Sequence, residues 1–244
     1  MTTASEAALC ARNNALWCDA VCRAHGRPGE FLAGLWLNRQ PVPRFYSNAV
    51  TLSPKDPAGQ RAWVEHLLSR RPSFSVKDSF VALDLSDLGF DVLFEATWLW
   101  REPVRRAQES ATHRALAWSV VQDAAGLARW EAAWAGLHAG QVVPGSARIF
   151  RRGLLHEPGV ALLAGARDGQ VVAVAAANQT GDVVGLSNVF APAVEAAAVW
   201  ADVVDYVGAL FPGRPLVGYE RGDDLALAEA VGFRAVGPLR VWTR

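Results

Sequence analysis

The chain has 244 residues, 51% of them hydrophobic, and 24 basic side chains against 24 acidic ones. That length admits one large domain or two small ones, and burial of roughly 70–75% of the unfolded surface. The zero net charge argues against a broad phosphate-neutralising face or a polybasic anchor, so neither nucleic acid nor membrane is an expected partner.

The first residues, Met1-Thr2-Thr3-Ala4-Ser5-Glu6, lack the basic start and apolar run of a secretion signal. Residues 5–25 read as a helix. Leu9, Cys10, Leu16, Cys18, Val21 and Cys22 build its apolar stripe, and Gly26 with Pro28 stops it. All three cysteines lie in this helix. An odd number in one short segment is a poor disulfide framework and fits a reducing, cytoplasmic setting. Cysteine at i and i+4 with His25 nearby could ligate zinc, but no second ligand pair follows; buried inert thiols are the commoner case, and no metal is expected. Asn13, Asn14 and Asp19 are open to two readings, a substrate-facing cleft or an exposed helix face.

Strands are predicted at 35–37 and 44–52, with a turn at Gln40-Pro41-Val42-Pro43 between them. A helix through Trp63, Val64, Leu67 and Leu68 follows and ends at Pro72. Strand 74–80, a short helix to Leu88 and strand 91–100 complete the first half. Trp98 and Trp100 share one face of that last strand, as core or as a pocket wall. Lys55, Gly59 and Arg61 could hold an anion at a helix start, or form a surface turn. The charged run 101–114 reads as a linker or exposed helix, with the domain boundary inside it.

The second half begins with strand 115–121, then a helix capped by Asp123 and carrying Leu127, Trp130, Trp134 and Leu137. A short helix at 149–155 precedes strand 160–166, a tight turn at Arg167-Asp168-Gly169 and the returning strand 171–177. That apolar run is far short of the roughly 20 residues needed to span a bilayer. Strand 183–190, a long helix 193–210, strand 216–219, helix 223–231 and strand 235–242 close the chain. A meander followed by alternating helix and strand predicts a mixed sheet covered by helices.

An internal repeat runs through these elements. Ser47-Asn48-Ala49-Val50 with Pro54 echoes Ser187-Asn188-Val189 with Pro192. Each is followed by a helix with an early tryptophan, a proline, a Gly-Phe pair (Gly89-Phe90, Gly232-Phe233) and a strand with a late tryptophan.

On the hairpin at Arg167-Asp168-Gly169, the strand closing in Val189-Phe190-Ala191-Pro192, the long helix after it and the ending Ala230-Val231-Gly232-Phe233, residues 115–244 resemble the GNAT acyltransferase superfamily. Residues 47–100 look like an abbreviated copy of its C-terminal portion. The resemblance implies an α/β (mixed α+β) fold, a GNAT-like twisted mixed sheet flanked by helices, in two related halves, 1–104 (truncated) and 105–244. It implies N-acetyltransferase activity, with acetyl-CoA or another acyl-CoA as cosubstrate and an amine of a small molecule or protein as acceptor. A module of this fold that has lost acyl-CoA and serves ligand binding or scaffolding is the competing class.

The same resemblance places the cosubstrate on Ser187, Asn188, Val189, Phe190 and Ala191, with its pyrophosphate at Ala193 and Val194 on a helix start, where free N–H groups favour an anion. The family usually follows the proline with Gln or Arg and then glycines; here Ala193 to Ala198 contain no glycine and include Glu195. The family's tyrosine proton donor corresponds to Ala228. Tyr219 and Glu220 are the nearest replacements, Glu220 as general base, with a solvated turn as the bland reading of the same residues.

Overall fold

The computed structural model describes residues 2–103, 115–137 and 148–244. Helix α1 (Thr3–Ala24) starts at Thr2, whose hydroxyl accepts from the Ser5 amide, and carries Glu6 in its first turn and Arg23 in its last, matching the helix dipole. Strands β1 (Glu30–Leu32) and β2 (Leu35–Leu37) form a hairpin with Gly34 at φ 74°. Strand β3 (Ala49–Thr51) is shorter than predicted: the chain turns at Pro43–Tyr46 with Phe45 in the left-handed region, and prolines cannot extend a ladder. Helix α2 (Pro57–Leu68) is capped by Asp56, and β4 (Ser75–Asp78), a 3₁₀ turn and β5 (Asp91–Arg101) follow.

Strand β6 (Ala117–Val120) leads to α3 (Ala124–Leu137), where Asp123 accepts from the Gly126 amide at 2.7 Å as the predicted cap. The helix expected at 149–155 is a 3₁₀ turn, Arg152–His156. Strands β7 (Val160–Arg167) and β8 (Gln170–Thr180) meet at Asp168 (φ 50°) and Gly169 (φ 78°), the double positive φ of a type I′ hairpin. Strand β9 (Val183–Phe190), α4 (Ala196–Leu210), β10 (Leu216–Glu220), α5 (Gly222–Ala230) and β11 (Arg234–Thr243) complete the chain. Asp223 lies in the first turn of α5. The linker expected over 101–114 lies, from residue 104 on, outside the described residues. Among the described residues no helix is long and apolar enough to cross a membrane.

The chain forms two compact units, one of Met1–Leu99, Tyr219–Arg221 and Ala235–Arg244, the other of Trp100–Gly218 and Gly222–Arg234. In the first, the strands run in the order β1-β2-β3-β4-β11-β5. Strands β3 and β4 pair in parallel, and β11 pairs antiparallel with β4 from Arg240↔Asp78 to Thr243↔Ser75. The core joins Leu35, Leu37, Val64, Leu67, Val76 and Trp242, with a second cluster of Ala15, Cys18, Cys22, Trp36 and Val50.

In the second unit the order is β10-β9-β8-β7-β6. Ala173 to Ala177 of β8 are all buried, and α3 and α4 both pack against this strand. Cover on both faces is why the run reads as continuously apolar rather than alternating. Trp130 is buried against Phe150 (ring centroids 4.7 Å apart) and donates from Nε1 to the Leu163 carbonyl at 2.8 Å.

Both units contain a strand, a helix and a parallel strand in sequence, β3-α2-β4 and β9-α4-β10. The Ser-Asn echo does not mark equivalent places in them. Ser47-Asn48 precede the β3 ladder, and Asn48 donates to the carbonyls of Asn38 and Gln40; Ser187-Asn188 follow the last β9–β10 pair.

Candidate functional site

The distinctive geometry of the second unit lies along β9. Its parallel register with β10 covers Leu216↔Val184 and Val217↔Gly185, and β9 then runs on to Phe190. At the next step Gly218 sits so close to β9 that a Cβ there would lie 2.7 Å from the Leu186 carbonyl oxygen. Only glycine permits that approach. By contrast, β3 ends at Thr51, one residue past its last pair, Val50↔Lys77. The extended edge beyond a short parallel ladder occurs in β9 and not in β3.

That edge is bulged. On the β8 side the pairs Ala176↔Ser187 and Val174↔Phe190 set Asn188 and Val189 against Ala175 alone. Asn188 takes up the extra residue at φ 52°, a conformation asparagine tolerates better than most residues. Its side chain is tied at both ends: Oδ1 accepts from Trp134 Nε1 of α3 at 3.1 Å, and Nδ2 donates to Ser187 Oγ at 3.1 Å. Phe190 packs edge-on against Trp134, centroids 6.2 Å apart. Ser187, Asn188, Val189, Phe190 and Ala191 are all half-buried.

The helix expected from Ala193 starts three residues later. Ala193–Glu195 form a 3₁₀ turn, and α4 begins at Ala196 with no side-chain cap. Ala193 is exposed and Val194 is 94% exposed. Glu195 turns to Arg167 at the end of β7, in a two-bond ion pair of 2.9 and 2.6 Å. The guanidinium holds the Glu195 carboxyl below its ordinary range. The negative charge next to this helix start is thus neutralised within the chain. At α2 the corresponding donors meet the chain's own carboxylate: Asp56 accepts from the Gly59 amide at 3.0 Å. Arg61, the other anion-holding candidate there, is engaged by Asp87, Glu65 and the Asp84 carbonyl, so the surface-turn reading of Lys55, Gly59 and Arg61 stands.

Tyr219 and Glu220, the catalytic candidates, belong to the first unit, and both are half-buried. Tyr219 packs edge-on against Trp98 (5.4 Å), and its hydroxyl oxygen accepts from Lys77 Nζ at 3.3 Å. Lys77 also donates to Asn14 Oδ1 at 2.7 Å; Asn14 was singled out with Asn13 and Asp19, whereas Lys77 was not, a lysine beside Val76 in a short strand being the available signal. Ala228, where the family places its tyrosine, is fully buried and its carbonyl accepts from Val231 and Phe233 at the end of α5.

The readings left open in the sequence separate here. Asn13 and Asp19 are buried, which corrects the exposed-face reading. Asp19 is structural: it accepts from the Gly29 amide and Trp36 Nε1 and pairs with Arg23. Trp98 and Trp100 are buried, their indoles donating to the Ser79 carbonyl and Glu102. The three cysteines are buried free thiols, and among the described residues no group of three or more His, Cys, Asp or Glu is placed to hold a metal.

Solved structures share this fold. A GCN5-related N-acetyltransferase from Kribbella flavida superposes with a TM-score of 0.63 at 18% identity, over 97% of this chain and 95% of that one. A functionally unknown conserved protein from Staphylococcus epidermidis gives 0.56 at 10% identity, over 86% and 83%. A tandem GNAT protein from the clavulanic acid biosynthesis pathway gives 0.53 at 16%, over 86% and 78%. No protein-family model and no curated protein matches the sequence. At these identities the likeness establishes the fold: the chain has the mixed α/β fold of the GNAT superfamily.

Proposed function

We propose that this chain is an N-acyltransferase that moves an acetyl or related acyl group from an acyl-CoA to an amine of a small molecule or protein. The observation that carries the reading is the β9 edge, a strand that outruns a two-pair parallel ladder and is bulged at Asn188. An extended pantetheine arm pairs with such an edge as an added strand. Ser187 to Ala191 hold that arm, and the open start of α4 at Ala193 and Val194 receives the pyrophosphate.

Coenzyme A supplies the activated thioester. The Val189 amide polarises the thioester carbonyl. The acceptor nitrogen attacks the carbonyl carbon, its proton passing to water, and the C–S bond breaks. The departing thiolate takes its proton from water. Acetyl-CoA is expected to raise the melting temperature in proportion to the logarithm of its concentration, with free thiol released on adding a panel of primary amines. No shift at millimolar acetyl-CoA would overturn the reading and leave a binding or scaffolding module.

A further inference from the structure

A hollow of about 590 Å³ lies wholly within the first unit, lined by the loop after β4, the start of β5 and the end of β11. That volume is in the range of small-molecule sites. Its floor is apolar, made of the buried core residues Leu83, Phe90 and Trp242. Val81, Ala82 and Val92 line its solvent-reached side. Among the described residues Val81 is the one β-branched residue in the left-handed region, at φ 54°. This backbone is costly for a branched side chain, and such strain collects where loops hold ligands. Asp78, fully buried at the end of β4, maintains it: its carboxylate accepts from the Phe80 amide at 3.3 Å and the Leu83 amide at 2.8 Å.

The charges of the hollow are not balanced by the chain. Asp84 Oδ1 accepts from the Ser86 hydroxyl and amide at 2.6 and 3.0 Å, bonds that hold this carboxyl below its ordinary range. Among the described residues nothing donates to Asp84 Oδ2, and the Asp91 carboxylate takes part in no hydrogen bond or ion pair. Arg240, the cation in the lining, is already committed: Nε and Nη2 donate to Glu95 at 2.9 and 2.6 Å, and the guanidinium lies 5.2 Å from the centre of the Trp242 ring. Arg61 beside the loop is matched in the same way by Asp87 and Glu65. We propose that the hollow binds a small organic amine, its ammonium held by Asp84 and Asp91 and its apolar body laid over Leu83, Phe90 and Trp242. An anion would meet the same two carboxylates, and a small, fully hydrated cation would leave the apolar floor in water. The proposal does not rest on the acyl-transfer reading, since every residue in it belongs to the first unit.

The test is amide NMR titration of the full chain, without coenzyme A, at low salt. Phenethylamine and tryptamine are the probes, with 3-phenylpropionate as the anion of similar size. The amines are expected to give saturable shifts in the amides of Val81 to Ser86, Asp91 and Val92, and the anion none there. Asp84→Asn combined with Asp91→Asn is expected to weaken the amines on the order of tenfold, and the difference should shrink as salt is raised. Ala82→Phe, which fills the hollow and keeps both carboxylates, is expected to abolish the shifts. No saturation with either amine at millimolar concentration, equal binding of the anion, or shifts confined to other residues would overturn the site. Because acyl-CoA is absent from the titration, none of these results bears on acyl transfer, and a chain that fails to bind acetyl-CoA leaves the amine site standing.

Discussion

Trp134 and Asn188 are joined by a 3.1 Å hydrogen bond from the indole N–H to the side-chain carbonyl, linking α3 to the one left-handed residue of β9. The same indole packs against Phe150 and Phe190, so the bulge is held by both packing and a directed bond. Trp134→Phe keeps an aromatic ring and removes the donor. It is expected to cost about 1–2 kcal/mol in denaturant unfolding and to weaken acetyl-CoA binding measured by calorimetry. Trp130→Phe, which removes the bond to the Leu163 carbonyl away from the bulge, is expected to cost similar stability with affinity unchanged. Equal affinities in the two variants would show that the bulge does not shape the cosubstrate site.

Gly218 tests the close approach of β10 to β9. A methyl group there meets the Leu186 carbonyl oxygen at 2.7 Å, and backbone cannot swing aside as a flexible side chain can. Gly218→Ala is expected to destabilise by about 1–3 kcal/mol. Gly208→Ala, inside α4 with nothing within 4 Å of the added carbon, is expected to stabilise by about 0.5–1 kcal/mol. Thermal unfolding of the two variants should therefore move in opposite directions.

Most elements were legible because local rules and tertiary packing agree. Residues 183–190 read as a strand and form β9 over that span, and Asp168-Gly169 carries the turn its composition demands. Boundaries failed where backbone donors were missing or redirected: the prolines before β3 shortened it, and the 3₁₀ turn after Pro192 delayed α4. The site was half legible. Order and spacing pointed to β9, but the ladder's short extent, the left-handed Asn188 and the Arg167–Glu195 pair depend on long-range register. The Lys77–Tyr219 contact joins residues 142 positions apart, and no local pattern encodes it.

Burial decides the chemistry of the cysteines. It pushes the Cys22 thiol up to about 12 and raises Cys18 as well, so thiolate is scarce in the folded chain. Iodoacetamide is expected to leave all three cysteines unmodified under native conditions and to modify all three in denaturant, counted by mass spectrometry. The sign of the pH effect follows from linkage. The folded chain keeps protons that the unfolded chain loses, so stability present below the ordinary thiol range falls as pH rises from it towards about 12. Rapid native labelling would show that α1 opens locally.

The Arg167–Glu195 pair makes two opposed predictions about one helix start. Because Arg167 holds the Glu195 carboxyl below its ordinary range, the pair stabilises the fold above that range and is lost as pH falls through the lowered value. Arg167→Gln is thus expected to move the acid-unfolding midpoint to higher pH. For the ligand the charges count differently. Glu195→Gln removes a carboxylate beside the start of α4 and frees the guanidinium, so acetyl-CoA should bind about two- to fivefold more tightly at low salt. Arg167→Gln should weaken binding by a similar factor. Both differences should shrink as salt screens these exposed groups. Isothermal calorimetry at two ionic strengths reads the series, and affinities indifferent to both substitutions would place the pyrophosphate away from this helix.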